Sequence, residues 1–348
     1  MTTRTGLRLA ERLRRTTAAA ADLPALAAAV YTAVAREVPF DFACFATTDP
    51  ATGLITWASK TRPLEVGDEE FAATEYGPPD VNSFAEIARR TPPVGVLSVD
   101  TGGDLDSCRR HRDYMAPRFG FTDELRTVFP SRGASWGALA MYRGAGDLPF
   151  TAADATRFVD VGEIVADAIQ RCLFRGDGAP RPVEPSPTAP AVLIVDDRGG
   201  VTHLTPAAEA VVAELGGWDH GELPASVLAV VATARTRGEH TESRVRTSAG
   251  RWLSLRAAPL TGPPQRHDIV VTAEPTPRAT LSRLALAAHG LTSREEDVAL
   301  LVLQGADTRA ISATLHLSPH TVQDHLKVVF AKVGVSSRRE LTARLVLE

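Results

Sequence analysis

Two adjacent carboxylates, Asp196 and Asp197, close the apolar run Val192–Val195 in the string VLIVDDRGG. Acids at the end of a buried strand could hold a divalent cation beside a third acid that accepts a phosphoryl group. That chemistry needs another aspartate at the end of a downstream strand. Between Asp197 and Asp268 the sequence offers only Asp219, inside the loop-like GGWDHGE. Gly199 and Gly200 also stand where a helix would have to begin. The pair therefore reads as turn residues between two strands, bonding their own backbone.

A second group of side chains suits a different chemistry. Along SPHTVQDHLKVVFAKV, Val322, Leu326, Val329 and Val333 recur at helical spacing and mark a buried stripe. His320, Thr321, Gln323, Asp324 and Lys327 are left facing outward. A glutamine amide can pair bidentately with adenine, a lysine can donate to guanine, and an aspartate can accept from a cytosine amino group. Gln323, Asp324 and Lys327 are thus candidate base readers. Thr308, Arg309, His320, Thr321, Lys332, Arg338 and Arg339 are candidates for the DNA backbone.

The elements that would position these residues are heavily punctuated. Thr292-Ser-Arg-Glu295 has the spacing of a capping box, opening a helix that buries Val298, Leu301 and Val302 before Gly305. Asp307 or Thr308 caps a second helix burying Ile311 and Leu315. After His316-Leu317, Ser318 caps the third helix with Pro319 at its first position, and Gly334 ends it. A second capping box, Ser337 to Glu340, starts a fourth that buries Leu341 and Leu345. The tight turn between the second and third helices makes a helix-turn-helix over residues 307–326. The bland alternative is a small helical bundle with a solvated face.

The string LTSREEDVALLVLQGADTRAISATLHLSPHTVQDHLKVVFAKVGVSSRRELTARL resembles the LuxR/NarL-type DNA-binding domain, assigned here to residues 286–348. The likeness runs from the Leu-Thr-x-Arg-Glu start through Thr-Val-x-x-His to Lys-x-Gly-Val-x-x-Arg. It implies double-stranded DNA as partner, with Gln323, Asp324 and Lys327 at the base-facing positions. Asp297 departs from a usual Glu, and Thr308 and Ala310 replace a common Asn and Glu. From Leu291 onward, acids match basic residues in number. Such a domain should bind weakly alone, because backbone affinity follows the phosphates neutralised. A homodimer with two reading helices about 34 Å apart is the expected remedy.

Two breaks divide the rest. GDGAPRPVEPSPTAPA gives a Pro-rich linker over 176–190, and AEPTPRAT prompts a second linker, 276–285. Residues 1–175 read as an α+β domain. Leu26, Val30, Val34 and Val38 follow the N-cap Asp22, and strands run through FDFACFATTDPATGLITWASKT and on either side of Arg132-Gly133. A closing helix would carry Phe158, Val161, Val165, Ile169 and Cys172 on one face. With the stretch PRFGFTDELRTVFP, this order resembles a GAF-type sensory domain, without the residues of a cyclic-nucleotide or bilin binder. Residues 191–275 read as strand, turn, strand, helix (TPAAEAVVAEL) and three more strands, an α+β order resembling a PAS-like domain. VLIVDD also resembles the opening of a response-regulator receiver, a reading the missing acceptor aspartate argues against.

The expected fold class is therefore multidomain: α+β GAF-like, α+β PAS-like and an all-α four-helix LuxR-type domain. A net charge of -4 over 348 residues leaves any DNA-binding surface local. Cys44, Cys108 and Cys172 lack a CxxC pair, which argues against a disulfide framework or zinc site and fits a reducing, cytoplasmic setting. No stretch reads as a signal peptide or membrane span. Trp57, Trp136, Cys44, His203 and Trp252 could face a ligand, and Cys108 and His111 could share a helical face, but buried aromatics and lone histidines are usually structural. No cofactor, metal or catalytic group is expected. The reading is a sequence-specific, dimeric DNA-binding transcriptional regulator, controlled by an unidentified small molecule or partner through its N-terminal sensory domains. Its rivals are a sensor enzyme or an interaction scaffold built on the same modules; no phosphate loop or paired catalytic carboxylates support the enzyme.

Overall fold

The structure, a computed structural model, describes residues 4–64, 67–174, 189–218, 221–261 and 267–345. The Pro-rich linker expected over 176–190 lies outside the described residues except for its last two positions. The chain forms two compact units, Met1–Pro275 and Thr276–Glu348. The first holds two antiparallel sheets with helices, and the second is helical. Among the described residues no helix is long and apolar enough to cross a membrane.

The first lobe of the larger unit begins with α1 (Arg4–Thr17) and α2 (Leu23–Ala35). Asp22 caps α2 by accepting from the Ala25 N–H at 2.8 Å, and Leu26, Val30, Val34 and Val38 are all buried. Then come β1 (Phe42–Thr48), β2 (Ile55–Lys60), α3 (Asp68–Glu75), α4 (Phe84–Ile87), β3 (Val94–Val96) and α5 (Leu97–Asp100). A 3₁₀ turn, a π-helical turn (His111–Met115) and α6 (Ala116–Phe119) lead into β4 (Phe121–Ser131) and β5 (Ala134–Gly144). The strand order is β2-β1-β5-β4-β3. Arg132 and Gly133 both have positive φ, the backbone of a two-residue hairpin turn.

Successive residues of β5 face opposite ways. Ala138, Ala140 and Tyr142 share a core with Phe84, Ile87, Tyr114 and Met115. Gly137 packs on the other face, where an added Cβ would lie 2.6 Å from Ile169. The closing helix expected in one piece is two, α7 (Ala152–Thr156) and α8 (Gly162–Phe174). Between them Phe158 and Val161 donate backbone bonds to carbonyls three residues back, a tighter winding that breaks the α-helix while keeping both side chains buried.

The second lobe comprises β6 (Ala191–Val195), β7 (Val201–Leu204), α9 (Pro206–Glu214), α10 (Ala225–Arg237), β8 (Thr241–Arg246), β9 (Trp252–Pro259) and β10 (Ile269–Pro275). Its order, β7-β6-β10-β9-β8, repeats that of the first sheet: second, first, fifth, fourth, third. Asp196 sits in the β6–β7 turn, where its carboxylate accepts from the N–H groups of Arg198 and Gly200 at 3.0 and 2.8 Å.

Helix α10 was not expected from the sequence. Every residue from Ser226 to Ala234 is buried, because one side packs on β8 and β9 and another on α3 and β2. Leu54 and Ala72 of the first lobe accordingly join the core formed by Val227, Leu228 and Val231. Two carboxylates reinforce the junction. The Glu222 carboxylate accepts from the N–H groups of Gly67, Asp68 and Glu69 at the start of α3, and Asp49 accepts from the Arg244 N–H and Nε at 2.9 Å each.

The smaller unit contains α11 (Arg278–Ala288), α12 (Ser293–Leu303), α13 (Thr308–Leu315), α14 (Pro319–Val333) and α15 (Arg338–Leu345). Helix α11 occupies most of the span expected as a linker, 276–285, so the unit has five helices where four were expected. Leu281, Leu284, Ala285 and Ala288 are buried at helical spacing, which gives the segment a core of its own to join.

Candidate nucleic-acid interface

Helix α14 is held by caps at both ends. Ser318 Oγ accepts from the Thr321 N–H at 3.1 Å, Pro319 follows at the first helical position, and Gly334 closes α14 with φ 74°. Val322, Leu326, Val329 and Val333 are buried, which turns Gln323, Asp324 and Lys327 to the exposed side. Asp307 caps α13, its carboxylate accepting from Ala310 N–H at 2.7 Å. The connection between the two helices passes through His316, held at φ 54°, with the Leu317 N–H returning to the Ser312 carbonyl. This is a left-handed helix termination made by a histidine rather than a glycine.

The capping box expected at Thr292 is complete: Thr292 Oγ1 accepts from Glu295 N–H, and Glu295 accepts from Thr292 N–H at 2.8 Å. The one expected at Ser337 is only half made. Ser337 Oγ accepts from Glu340 N–H, but the Glu340 carboxylate turns to the N–H and hydroxyl of Ser336. Arg294 donates to the Leu315 carbonyl at the end of α13, a contact that no local pattern marks.

The candidate DNA-facing residues fall into three groups. Gln323 Nε2 and an Arg338 guanidinium nitrogen both donate to the Thr308 hydroxyl, at 3.1 and 2.9 Å, and Arg338 also reaches the Ala306 carbonyl at 2.7 Å. His320 and Lys327 flank the Asp324 carboxylate at 3.5 and 3.1 Å. The Lys327 bond, with the charges of His320 and Lys327, holds the Asp324 carboxyl below the ordinary range. Lys332 is bonded to Glu295 at 2.6 Å, tying the end of α14 to the cap of α12. Thr321 is half-buried beside Ser318, whereas Arg309 and Arg339 are exposed with no ion pair among the described residues.

Most polar side chains of this face thus bond to one another, Gln323 and Arg338 to Thr308 and Lys327 to Asp324.

The other residues singled out sit in the larger unit. Trp136 meets Phe174 edge-on and Trp252 stacks on the same ring at 5.1 Å, so these aromatics join the two lobes. Trp57 and Cys44 are half-buried on neighbouring strands and His203 is exposed. Cys108 is buried with Sγ 3.6 Å from an Asp80 oxygen, and His111 is buried with neither ring nitrogen bonded among the described residues. No group of three metal-ligating side chains comes together among the described residues.

Comparison with known proteins agrees at the carboxy-terminal unit. Residues 289–345 match the luxR family of bacterial regulatory proteins. A protein of Aeromonas salmonicida named as an HTH-type transcriptional regulator is 43% identical over 75 residues, which are 20% of this chain and 38% of that protein. The regulator Rv0890c of Mycobacterium tuberculosis, named in the same way, is 42% identical over 64 residues, 18% of this chain and 7% of its own. The chain thus spans well under two thirds of these relatives. Among solved structures, SdiA of Escherichia coli aligns over 96% of this chain and 98% of its own at 10% identity, with a TM-score of 0.35. VqmA of Vibrio cholerae in complex with ligand and DNA aligns over 46% and 83% at 16% identity and a TM-score of 0.24. Both scores are too low to carry an argument about fold or function. The caps, the turn and the sequence match meet in one segment: residues 289–345 match the luxR family of bacterial regulatory proteins.

Proposed function

We propose that the chain is a sequence-specific, dimeric DNA-binding transcriptional regulator. Its two N-terminal lobes, GAF-like over 1–175 and PAS-like over 191–275, set DNA affinity in response to a small molecule or partner. The observation that carries this reading is the exposed face of α14, where Gln323, Asp324 and Lys327 project from a helix whose opposite side is buried. Those three side chains suit adenine, cytosine and guanine edges in a major groove. Arg309 and Arg339 supply unpaired charge for phosphates. The even balance of charge from Leu291 onward favours two protomers per site, since one would neutralise few phosphates.

The test is selection of DNA from a random library by the purified full-length protein, with Lys327→Ala as control. The reading expects a motif of two half-sites about one DNA turn apart, roughly 34 Å. The variant should enrich it more weakly. Absence of any enriched motif would remove the reading.

A further inference from the structure

A cleft opens where the two lobes of the larger unit meet, between α3, α10 and the β6–β7 turn. It holds about 100 Å³ of open space. At about 10–15 Å³ for one water-sized sphere, that is room for roughly seven to ten of them. Its floor is apolar: Ala72, Val195, Leu228, Val231 and Ala232 are buried there. Ala73, Pro78 and Thr236 are exposed at the rim.

Two opposite charges border this apolar floor without meeting. Arg235 donates one bond, to the Asp196 carbonyl at 2.6 Å, while its Nε is buried with no partner. The Glu69 carboxylate accepts no hydrogen bond and forms no ion pair among the described residues. It packs against Gly199, where an added Cβ would fall 1.6 Å from a carboxylate oxygen. Burial raises the Glu69 carboxyl above its ordinary value against the opposing pull of Arg235, and neighbouring Glu70, Glu222 and Asp196 raise it further. A cation placed beside it would relieve that cost.

We propose that this cleft binds an α-amino acid with a short aliphatic side chain. The ligand carboxylate meets Arg235, its ammonium meets Glu69, and its side chain lies on Leu228 and Val231. A simple anion would face the unbalanced charge of Glu69, and a simple amine would face Arg235. A neutral apolar molecule would leave both charges desolvated and unmet. The amide cluster at the start of α3 is no competing anion site, because Glu222 already fills it. The walls come from both lobes, so an occupant fastens one to the other. This assignment deepens the reading of the chain as a ligand-controlled regulator and rests on it for its biological role.

The test is calorimetric titration of the full-length protein with L-valine, isobutyrate and isobutylamine. Valine is expected to bind, and each analogue lacking one charge to bind at least about tenfold more weakly, the scale of one lost charged contact. Glu69→Gln should weaken valine at least about tenfold while strengthening isobutyrate, whose carboxylate no longer faces a like charge. Ala73→Leu, at the exposed rim, should block valine. No heat with valine up to the millimolar range, or equal binding by both variants and the wild type, overturns the site. The selected DNA separates the two readings. Valine binding that leaves DNA affinity unchanged upholds the site and defeats its role as effector site. Selection of DNA without valine binding overturns the site alone.

Discussion

Gln323 and Thr308, fifteen residues apart in sequence and on different helices, share a hydrogen bond of 3.1 Å. The candidate adenine reader is therefore held against the first turn of α13 before any DNA arrives. Gln323→Ala is expected to leave overall affinity for random DNA nearly intact. It should relax discrimination at one base pair by roughly 1–3 kcal/mol. Binding to an operator series carrying each base at that position measures this.

Thr308 also accepts from Arg338, so its hydroxyl holds two donors at once. Thr308→Val keeps the shape and removes the acceptor. The smaller unit should lose roughly 1 kcal/mol of stability through the Arg338 contact. Denaturant unfolding, followed through the α13 and α14 amides by hydrogen exchange, checks the value.

Lys332 and Glu295 give the same unit a pH dependence. Burial pushes the Glu295 carboxyl up, but the bonds from Lys332 and from the Thr292 N–H and hydroxyl outweigh it and hold it below the ordinary range. The unfolded carboxyl titrates near ~4.3. A group lowered on folding contributes its full stability above the unfolded value, and that contribution falls away as pH drops through the folded value. Protection of α12 and α14 amides should thus decline on acidification below about pH 4, and Glu295→Gln should flatten that decline. An unchanged profile in the variant would remove the pair as its source.

His316 turns the chain between α13 and α14 in the left-handed region, at φ 54°. A β-branched residue there should cost roughly 1–2 kcal/mol, whereas His316→Gly should be neutral or stabilising. Thermal unfolding of His316→Val and His316→Gly, compared at constant pH, decides it.

Glu222 caps three N–H groups at the start of α3 from the other lobe. Glu222→Ala should cost about 1–2 kcal/mol and expose the Gly67 to Glu69 amides to exchange. Exchange rates at those three amides read the effect directly.

The helix-turn-helix was legible because its signals are local: capping pairs, a proline, glycines and a repeated apolar stripe all lie within a few residues of what they specify. Helix α10 shows the opposite case. Its string ASVLAVVATARTR is apolar on every side, so periodicity has nothing to detect, and only the second lobe–first lobe contact explains it. Helices α4, α5 and α6 are four residues each, too short to form without their surroundings or to show an apolar periodicity. At the interface, exposure of Gln323, Asp324 and Lys327 followed from the stripe. The attachment of Gln323 to Thr308 depends on how α13 and α14 cross, and Glu340 chose Ser336 over the residue its spacing suggested.

The double burial of α10 also bears on inheritance. Recombination that swapped residues 1–174 for a foreign module would strand Leu54 and Ala72 without their neighbours on α10 and leave Glu222 nothing to cap. The incoming partner would have to bring a matching α3 and β2. The two lobes, though each has a complete five-stranded sheet, are thus expected to travel through evolution as a linked pair, changing residues on both sides of α10 together.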